Sequence, residues 1–126
     1  RMKVPANLKY TKDHEWARIE DAVAVVGITD YAQSQLGDVV YIDLPKVGDV
    51  ISRGDVIGTI EAVKTVADIY SPVSGEIVAV NSALKDASEL VNKDPYGEGW
   101  IASIKLSNSM ELEALLDPAD YEKLIS

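Results

Sequence analysis

Gly58-Thr-Ile-Glu-Ala-Val-Lys64-Thr-Val-Ala-Asp-Ile-Tyr-Ser-Pro72 is a run of small and β-branched residues that holds one lysine. Branched side chains pack well on a pleated surface, so the run favours strand. Glu61 stands before Lys64 and Asp68 after it. Ser71-Pro72 and Ser74-Gly75 then punctuate the chain. Between Glu61 and Thr65 there is no Gly, Pro, Asn or Asp. Propensity alone therefore carries one strand straight through Lys64. A lone lysine in such a run reads as a presented attachment point, against the ordinary alternative of a solvated surface lysine.

On the N-terminal side, Leu8 to Trp16 leads into Ala17-Arg-Ile-Glu20, and Ala22-Val-Ala-Val-Val-Gly-Ile28 follows. The two apolar runs flank Glu20-Asp21 and predict a β-hairpin. Thr29 to Leu36 reads as a short helix, capped by Thr29 or Asp30 and closed by Gly37. Asp38 to Leu44 is a strand stopped by Pro45. Three Gly-Asp-Val starts, at Gly37, Gly48 and Gly54, each predict a turn reopening into a short strand. Many short strands at close spacing are the mark of a small sandwich or barrel.

On the C-terminal side, Glu76 to Asn81 alternates as a strand. Asp86-Ala-Ser-Glu89 has capping-box spacing and predicts a helical turn at Leu90-Val91. Asn92 to Gly99 is a loop, and Trp100 to Leu106 the last strand. Two helices close the chain. Asn108 and Glu111 are placed as a capping box for the first, which carries Leu112, Leu115 and Leu116. Asp117-Pro118 opens the second, whose apolar face is Tyr121, Leu124 and Ile125. The expectation is one domain over residues 1–126, with a β core at about 8–106 and C-terminal helices at about 108–125.

Composition limits the functions available. The 126 residues suit one compact domain, and 47% hydrophobic with 26% charged residues is an ordinary globular balance. No apolar run is long enough to span a bilayer as a helix. The start, Arg1-Met2-Lys3-Val4-Pro5, resembles neither a signal nor a transit peptide, and Met2 reads as the natural start. The expectation is a cytoplasmic protein or, if a targeting segment has been removed, a mitochondrial matrix one. A formal net charge of −9 repels phosphate backbones and anionic lipid, so neither nucleic acid nor membrane is an expected partner. It favours protein partners with basic faces. With no cysteine there is no thiolate metal site, disulfide or thiol nucleophile. With one histidine there is no His cluster, so metal: none.

No catalytic residues are assigned. Serines lack a nucleophile motif, and no glycine pattern cradles phosphate. Asp13-His14-Glu15-Trp16 is the densest chemistry. Its plain reading is a hydrogen-bonded strand entry with Trp16 in the core. A hydrolase or lyase centred on His14 and Glu15 is a rival reading, as is an interaction domain with Lys64 unmodified.

Lys64 with Glu61 before it and Gly75 after it resembles lipoyl-carrier domains. Biotin carriers share that fold but typically set their lysine between methionines, where Val63 and Thr65 stand here. Further blocks narrow the match. Tyr10-Thr-Lys-Asp-His-Glu-Trp16, Val26-Gly-Ile-Thr-Asp30, Leu36-Gly-Asp-Val-Val-Tyr41, Asp43-Leu-Pro45, Tyr70-Ser-Pro-Val-Ser-Gly-Glu76, Val80-Asn81 and Asn92-Lys-Asp-Pro-Tyr-Gly-Glu-Gly-Trp100 are similar to the glycine cleavage H-protein family, from about Leu8 to Leu124. The resemblance implies a mainly β, lipoyl/biotinyl-type hybrid barrel-sandwich of two antiparallel sheets, with a short internal helix and C-terminal helices. It also implies that Lys64 lies at the tip of a hairpin.

The implied function is that of a non-enzymatic, monomeric carrier with lipoate attached covalently to Lys64. A pyridoxal-phosphate glycine decarboxylase (P protein) loads an aminomethyl group. A folate-dependent aminomethyltransferase (T protein) takes the carbon and releases ammonia, and dihydrolipoyl dehydrogenase (L protein) reoxidises the dithiol. A lipoyl ligase or transferase makes the modification, with Glu61 and Gly75 at the family positions that matter for it. Read as ordinary residues, Glu61 is a solvated strand residue and Gly75 a turn glycine with a positive φ. A sulfur-bound aminomethyl group loses formaldehyde to water, so the loaded arm needs shelter. The resemblance places that shelter at Glu15, Asp68 and Asp13, with Glu15 meeting the ammonium. Position 13 is often serine in relatives, and position 35, sometimes histidine, is Gln35. A paralogue that relays lipoyl groups to other lipoyl domains is the alternative within the same family.

Overall fold

The computed structural model describes residues 2–126, and Arg1, the residue before the expected natural start, lies outside them. The strands are β1 (Lys9–Tyr10), β2 (Glu15–Glu20), β3 (Val23–Ile28), β4 (Val39–Asp43), β5 (Val50–Ile51), β6 (Val56–Ala62), β7 (Val66–Tyr70), β8 (Gly75–Val80) and β9 (Ala102–Leu106). The α-helices are α1 (Asp30–Leu36), α2 (Leu90–Lys93) and α3 (Pro118–Ile125), with 3-10 turns at Ser82–Lys85 and Ser109–Ala114. A six-stranded sheet in the order β1-β2-β3-β9-β8-β5 faces a three-stranded sheet in the order β4-β6-β7, and every pairing is antiparallel. Both sheets are open, so the expected barrel-sandwich is a sandwich here.

The expected N-terminal hairpin forms, with Glu20 opposite Val23 and Asp21 at φ 55 in its turn. Its apolar runs do not alternate cleanly because both faces of this sheet are covered. Ala17, Ala24 and Val26 face the other sheet's Ile42, Ile60 and Ile69 in the main core. Trp16 and Val25 point to the opposite face, where Leu8, Tyr10 and Tyr121 form a second core. Helix α3 covers that face, which explains why a small sandwich carries a buried C-terminal tyrosine.

Residues 48–77 form one long hairpin divided between the two sheets. Gly48 donates to the Ile77 carbonyl and Ile77 to that of Asp49. Val50 lies opposite Glu76 and Ile51 opposite Gly75. The same register resumes in the other sheet. Gly54 donates to Ser71, Ser71 donates to Asp55, and Val56 lies opposite Tyr70. The two Gly-Asp-Val-Ile starts are the same device used twice. The Asp49 and Asp55 carboxylates accept from the backbone amides of Lys46 and Ser52, 3.1 and 2.8 Å away. Gly48 and Gly54 take φ 98 and 91, the left-handed region that glycine enters freely.

Helix α1 is capped as expected, by Thr29 rather than Asp30. The Thr29 hydroxyl accepts from the Ala32 amide, and Gly37, φ 78, donates to Gln33. Three local readings need correction. Asp86 does not cap α2: Glu89 is already helical at the cap, and its side chain makes no cap bond. The expected Asn108–Glu111 box is only half made, over a 3-10 turn rather than an α-helix. Asn108 accepts from Met110, while Glu111 reaches across to Ser74, bonding its amide and hydroxyl at 2.8 Å each. Leu124 is 49% exposed and stands outside the apolar face of α3 that buries Tyr121.

Candidate functional site

Lys64 is exposed between β6 and β7, with exposed Val63 and Thr65 on either side. Propensity runs a strand through this point, but the chain turns. Tertiary contacts outweigh local preference there. The Ala62 amide donates to Thr65, and the Val63 amide donates to the Asp38 carbonyl at the start of the neighbouring strand. The tip is thus closed by backbone bonds and needs no turn residue.

From this tip β7 runs along the free edge of the small sheet. A cleft of about 330 Å³ opens beside it. Asp68 of β7, Asp13, His14 and Glu15 at the entry to β2, and Tyr31 and Gln35 of α1 line it with apolar Ile28, Leu36 and Ile60. The structure therefore brings together all three residues expected to shelter the arm. It adds Gln35, for which the sequence carried no role, and His14. Asp68 and Asp13 are exposed, whereas Glu15 is only 3% exposed.

Glu15 has a structural task of its own. An edge strand leaves backbone groups unpaired. The Glu15 carboxylate accepts from the Tyr70 amide on the edge of β7 at 3.2 Å, and from the Thr11 hydroxyl at 2.6 Å. Because Glu15 begins a strand of the large sheet, it clips the two sheets together. Burial pushes its carboxyl up to about 7, while the bonds from Thr11 and Tyr70 pull the other way. A carboxylate has room for about four hydrogen bonds, so these two leave lone pairs for a ligand. Glu15 also borders a second cleft, of about 310 Å³, with Arg53, Tyr70 and Leu115 on its walls.

Glu61 and Gly75 lie apart from the cleft. Glu61 is exposed on β6, between Tyr41 of β4 and Val66 of β7. Gly75 is no turn glycine: it is buried at the start of β8, paired with Ile51 and Leu106. Its φ is positive as expected, at 158, and a Cβ there would overlap the Lys105 carbonyl oxygen, so backbone angle and close strand packing both demand glycine. Any part Gly75 takes in recognition passes through the backbone of the hairpin it anchors.

Sequence reading did not find the group behind the cleft. Tyr121 of α3 bonds His14 Nδ1 at 2.8 Å and Thr29 Oγ1 at 2.7 Å, and stacks on Tyr10 with centroids 4.6 Å apart. Tyr121 lies 107 positions from His14 and 92 from Thr29. The one local sign was the apolar periodicity that made Tyr121 a core residue.

The family model described as Glycine cleavage H-protein matches residues 8–126. The chain belongs to the glycine cleavage H-protein family. A member from Chlorobaculum parvum is 57% identical over 98% of each chain, and one from Bacteroides fragilis 53% identical over 99% of each. Both are named glycine cleavage system H protein. The crystal structure of a glycine cleavage system H protein from Mycobacterium marinum superposes with a TM-score of 0.87 at 38% identity, covering 95% of this chain and 97% of that one. The segment matched to the family contains all the candidate residues, from Asp13 to Gly75.

Proposed function

We propose that this chain is the lipoyl-bearing carrier of the glycine cleavage system, with lipoate joined to Lys64 by an amide. The observation that carries this reading is the position of Lys64. It is exposed at the hairpin tip, on the strand edge that forms the acidic cleft, in a chain of the H-protein family.

The residues present fit such a group. Among the described residues no side-chain hydrogen bond or ion pair holds Lys64, and Val63 and Thr65 beside it are exposed. Asp68 lies four residues on, roughly 13 Å along the strand. A lysine acylated by an eight-carbon acid reaches about 14 Å. Ile28, Leu36 and Ile60 offer apolar wall to a hydrocarbon arm, and Asp13, Glu15 and Asp68 offer negative charge to a cation at its end. The bound group would supply a dithiol–disulfide couple able to carry a carbon unit and electrons. The chain's own work is to present the arm at an accessible lysine, receive its end between α1 and β7, and exclude water there. Having no thiol, the chain cannot compete with the arm in exchange.

On this reading the partners are the P, T and L proteins and a lipoyl ligase or transferase, and the chain acts as a carrier rather than an enzyme. Its location is then the cytoplasm, as for a bacterial system like those of the relatives named above. Intact mass after expression with lipoate and a lipoyl ligase is the test. A gain of one lipoyl group that maps to Lys64 and is lost in Lys64→Arg is expected. No gain with any ligase would overturn the reading.

A further inference from the structure

The hydrogen bonds around Tyr121 have only one fully satisfied direction. Thr29 Oγ1 already accepts from the Ala32 amide as the cap of α1. The Thr29 hydroxyl is completely buried, and its remaining partner is Tyr121 Oη at 2.7 Å. If Tyr121 donated to Thr29, the Thr29 proton would be left buried and unpaired, which is costly. So Thr29 donates to Tyr121, and Tyr121 spends its single proton on His14 Nδ1, 2.8 Å away. His14 Nδ1 is then an acceptor, and the remaining proton of the neutral ring sits on Nε2.

We infer that Tyr121 is a positioning residue that joins the two walls of the arm cleft and holds His14 neutral, as the Nε2–H tautomer, at the cleft wall. Its two bonds tie the cap of α1, which carries Tyr31 and Gln35, to the turn that carries Asp13, His14 and Glu15. His14 is held at φ 68, where a non-glycine residue needs support from its surroundings. Its carbonyl accepts from the Thr29 amide, so the same two segments are also joined through the backbone. Tyr31 flanks the ring, with centroids 4.8 Å apart. The other ionisable groups lining the cleft with His14 are Asp13, Glu15, Asp68 and Tyr31, and none of them can become a cation. A neutral donor there leaves the negative field available to a cationic arm, where an imidazolium would cancel and repel it. Burial, which lowers the tendency of His14 to take up a proton, works in the same direction. This inference rests on the carrier reading for its purpose, but the tautomer itself does not.

Because His14 is the chain's single histidine, its ring nitrogens can be read without ambiguity by 15N NMR of the unmodified protein. The expected result at neutral pH is a neutral ring with a protonated Nε2 and an accepting Nδ1. In Tyr121→Phe, which keeps the stack on Tyr10, the Nδ1 signal should lose its hydrogen-bond shift and the tautomers should mix. A protonated Nδ1, an imidazolium at neutral pH, or a signal unmoved by Tyr121→Phe would each overturn the proposal. Formaldehyde release from the aminomethyl-loaded protein should rise at least about fivefold in Tyr121→Phe, the equivalent of one of the two hydrogen bonds it removes. An unchanged rate sinks the positioning role even where the tautomer is as expected. Should Tyr121→Phe not fold, the wild-type spectrum alone still decides the tautomer. Failure of Lys64 to take lipoate refutes the carrier reading and leaves that spectrum unaffected.

Discussion

Replacing Glu15 with glutamine should change the pH dependence of stability in a calculable way. Glu15 is 3% exposed, and burial raises its carboxyl from 4.5 to about 7 in the folded protein. Between those values the native chain holds a proton that the unfolded chain has released. The stability contribution is therefore complete below the unfolded value and is lost as pH rises through about 7. At about 1.4 kcal/mol per pH unit, the full shift costs about 3 kcal/mol. Roughly 2 kcal/mol of it falls between about pH 5.5 and about pH 8, clear of most other carboxylates. His14 acts in the opposite sense in this window. Burial lowers its value, so the native ring binds fewer protons than the unfolded one and stability rises with pH. Glu15→Gln retains His14, so the difference between the two proteins removes that contribution. The substitution also weakens the bonds to Thr11 and Tyr70, an offset of about 1 kcal/mol that does not vary with pH. Urea unfolding of both proteins across the window is the assay. The expected result is a wild-type curve falling relative to Glu15→Gln by about 2 kcal/mol. Parallel curves, within about 0.5 kcal/mol, would refute the reasoning and show that the buried carboxyl ionises as freely as an exposed one.

Lys64→Arg should leave stability within about 0.5 kcal/mol, since the side chain is exposed, while abolishing any lipoyl mass gain in the intact-mass assay. Gly75→Ala should cost upwards of about 3 kcal/mol in chemical denaturation, because its new methyl meets a backbone carbonyl in a central strand that cannot move aside. Glu111→Ala should cost about 1–3 kcal/mol by the same measure, since it removes both charge-assisted bonds to Ser74.

What the sequence made legible was mostly local. Glu20-Asp21 gave the first hairpin, Thr29 and Gly37 the ends of α1, and the repeated Gly-Asp-Val starts the turns that open β5 and β6. Each rests on chemistry within four residues. The readings that failed were also local, but another part of the fold claimed the group. Glu111 has the spacing to cap its own turn, yet Ser74 offers it two donors. Gly75 looks like punctuation, yet the neighbouring strand's carbonyl also constrains it.

The candidate site divides in the same way. Lys64 could be singled out by its surroundings in sequence, but its turn could not, because Asp38 supplies part of the closure from another strand. Asp13, Glu15 and Asp68 came from resemblance, and the structure adds what resemblance did not contain. Glu15 is engaged in holding two sheets together before any ligand arrives. The Thr29–Tyr121–His14 chain joins segments remote in sequence, and no periodicity or spacing encodes such a meeting.

The continuous ladder through residues 48–77, whose register shifts once between Val56 and Gly58, has a kinetic consequence. Its pairings are nested: Glu61 with Val66, then Val56 with Tyr70, then Val50 with Glu76. Once the innermost pair has met, each later pair closes only a short additional loop, and loop closure becomes costly mainly when distant segments meet without such help. The hairpin can therefore zip from its tip outward. Its early contacts would form beside Lys64, and the two sheets, although separate layers in the finished molecule, would be linked in time by one advancing ladder.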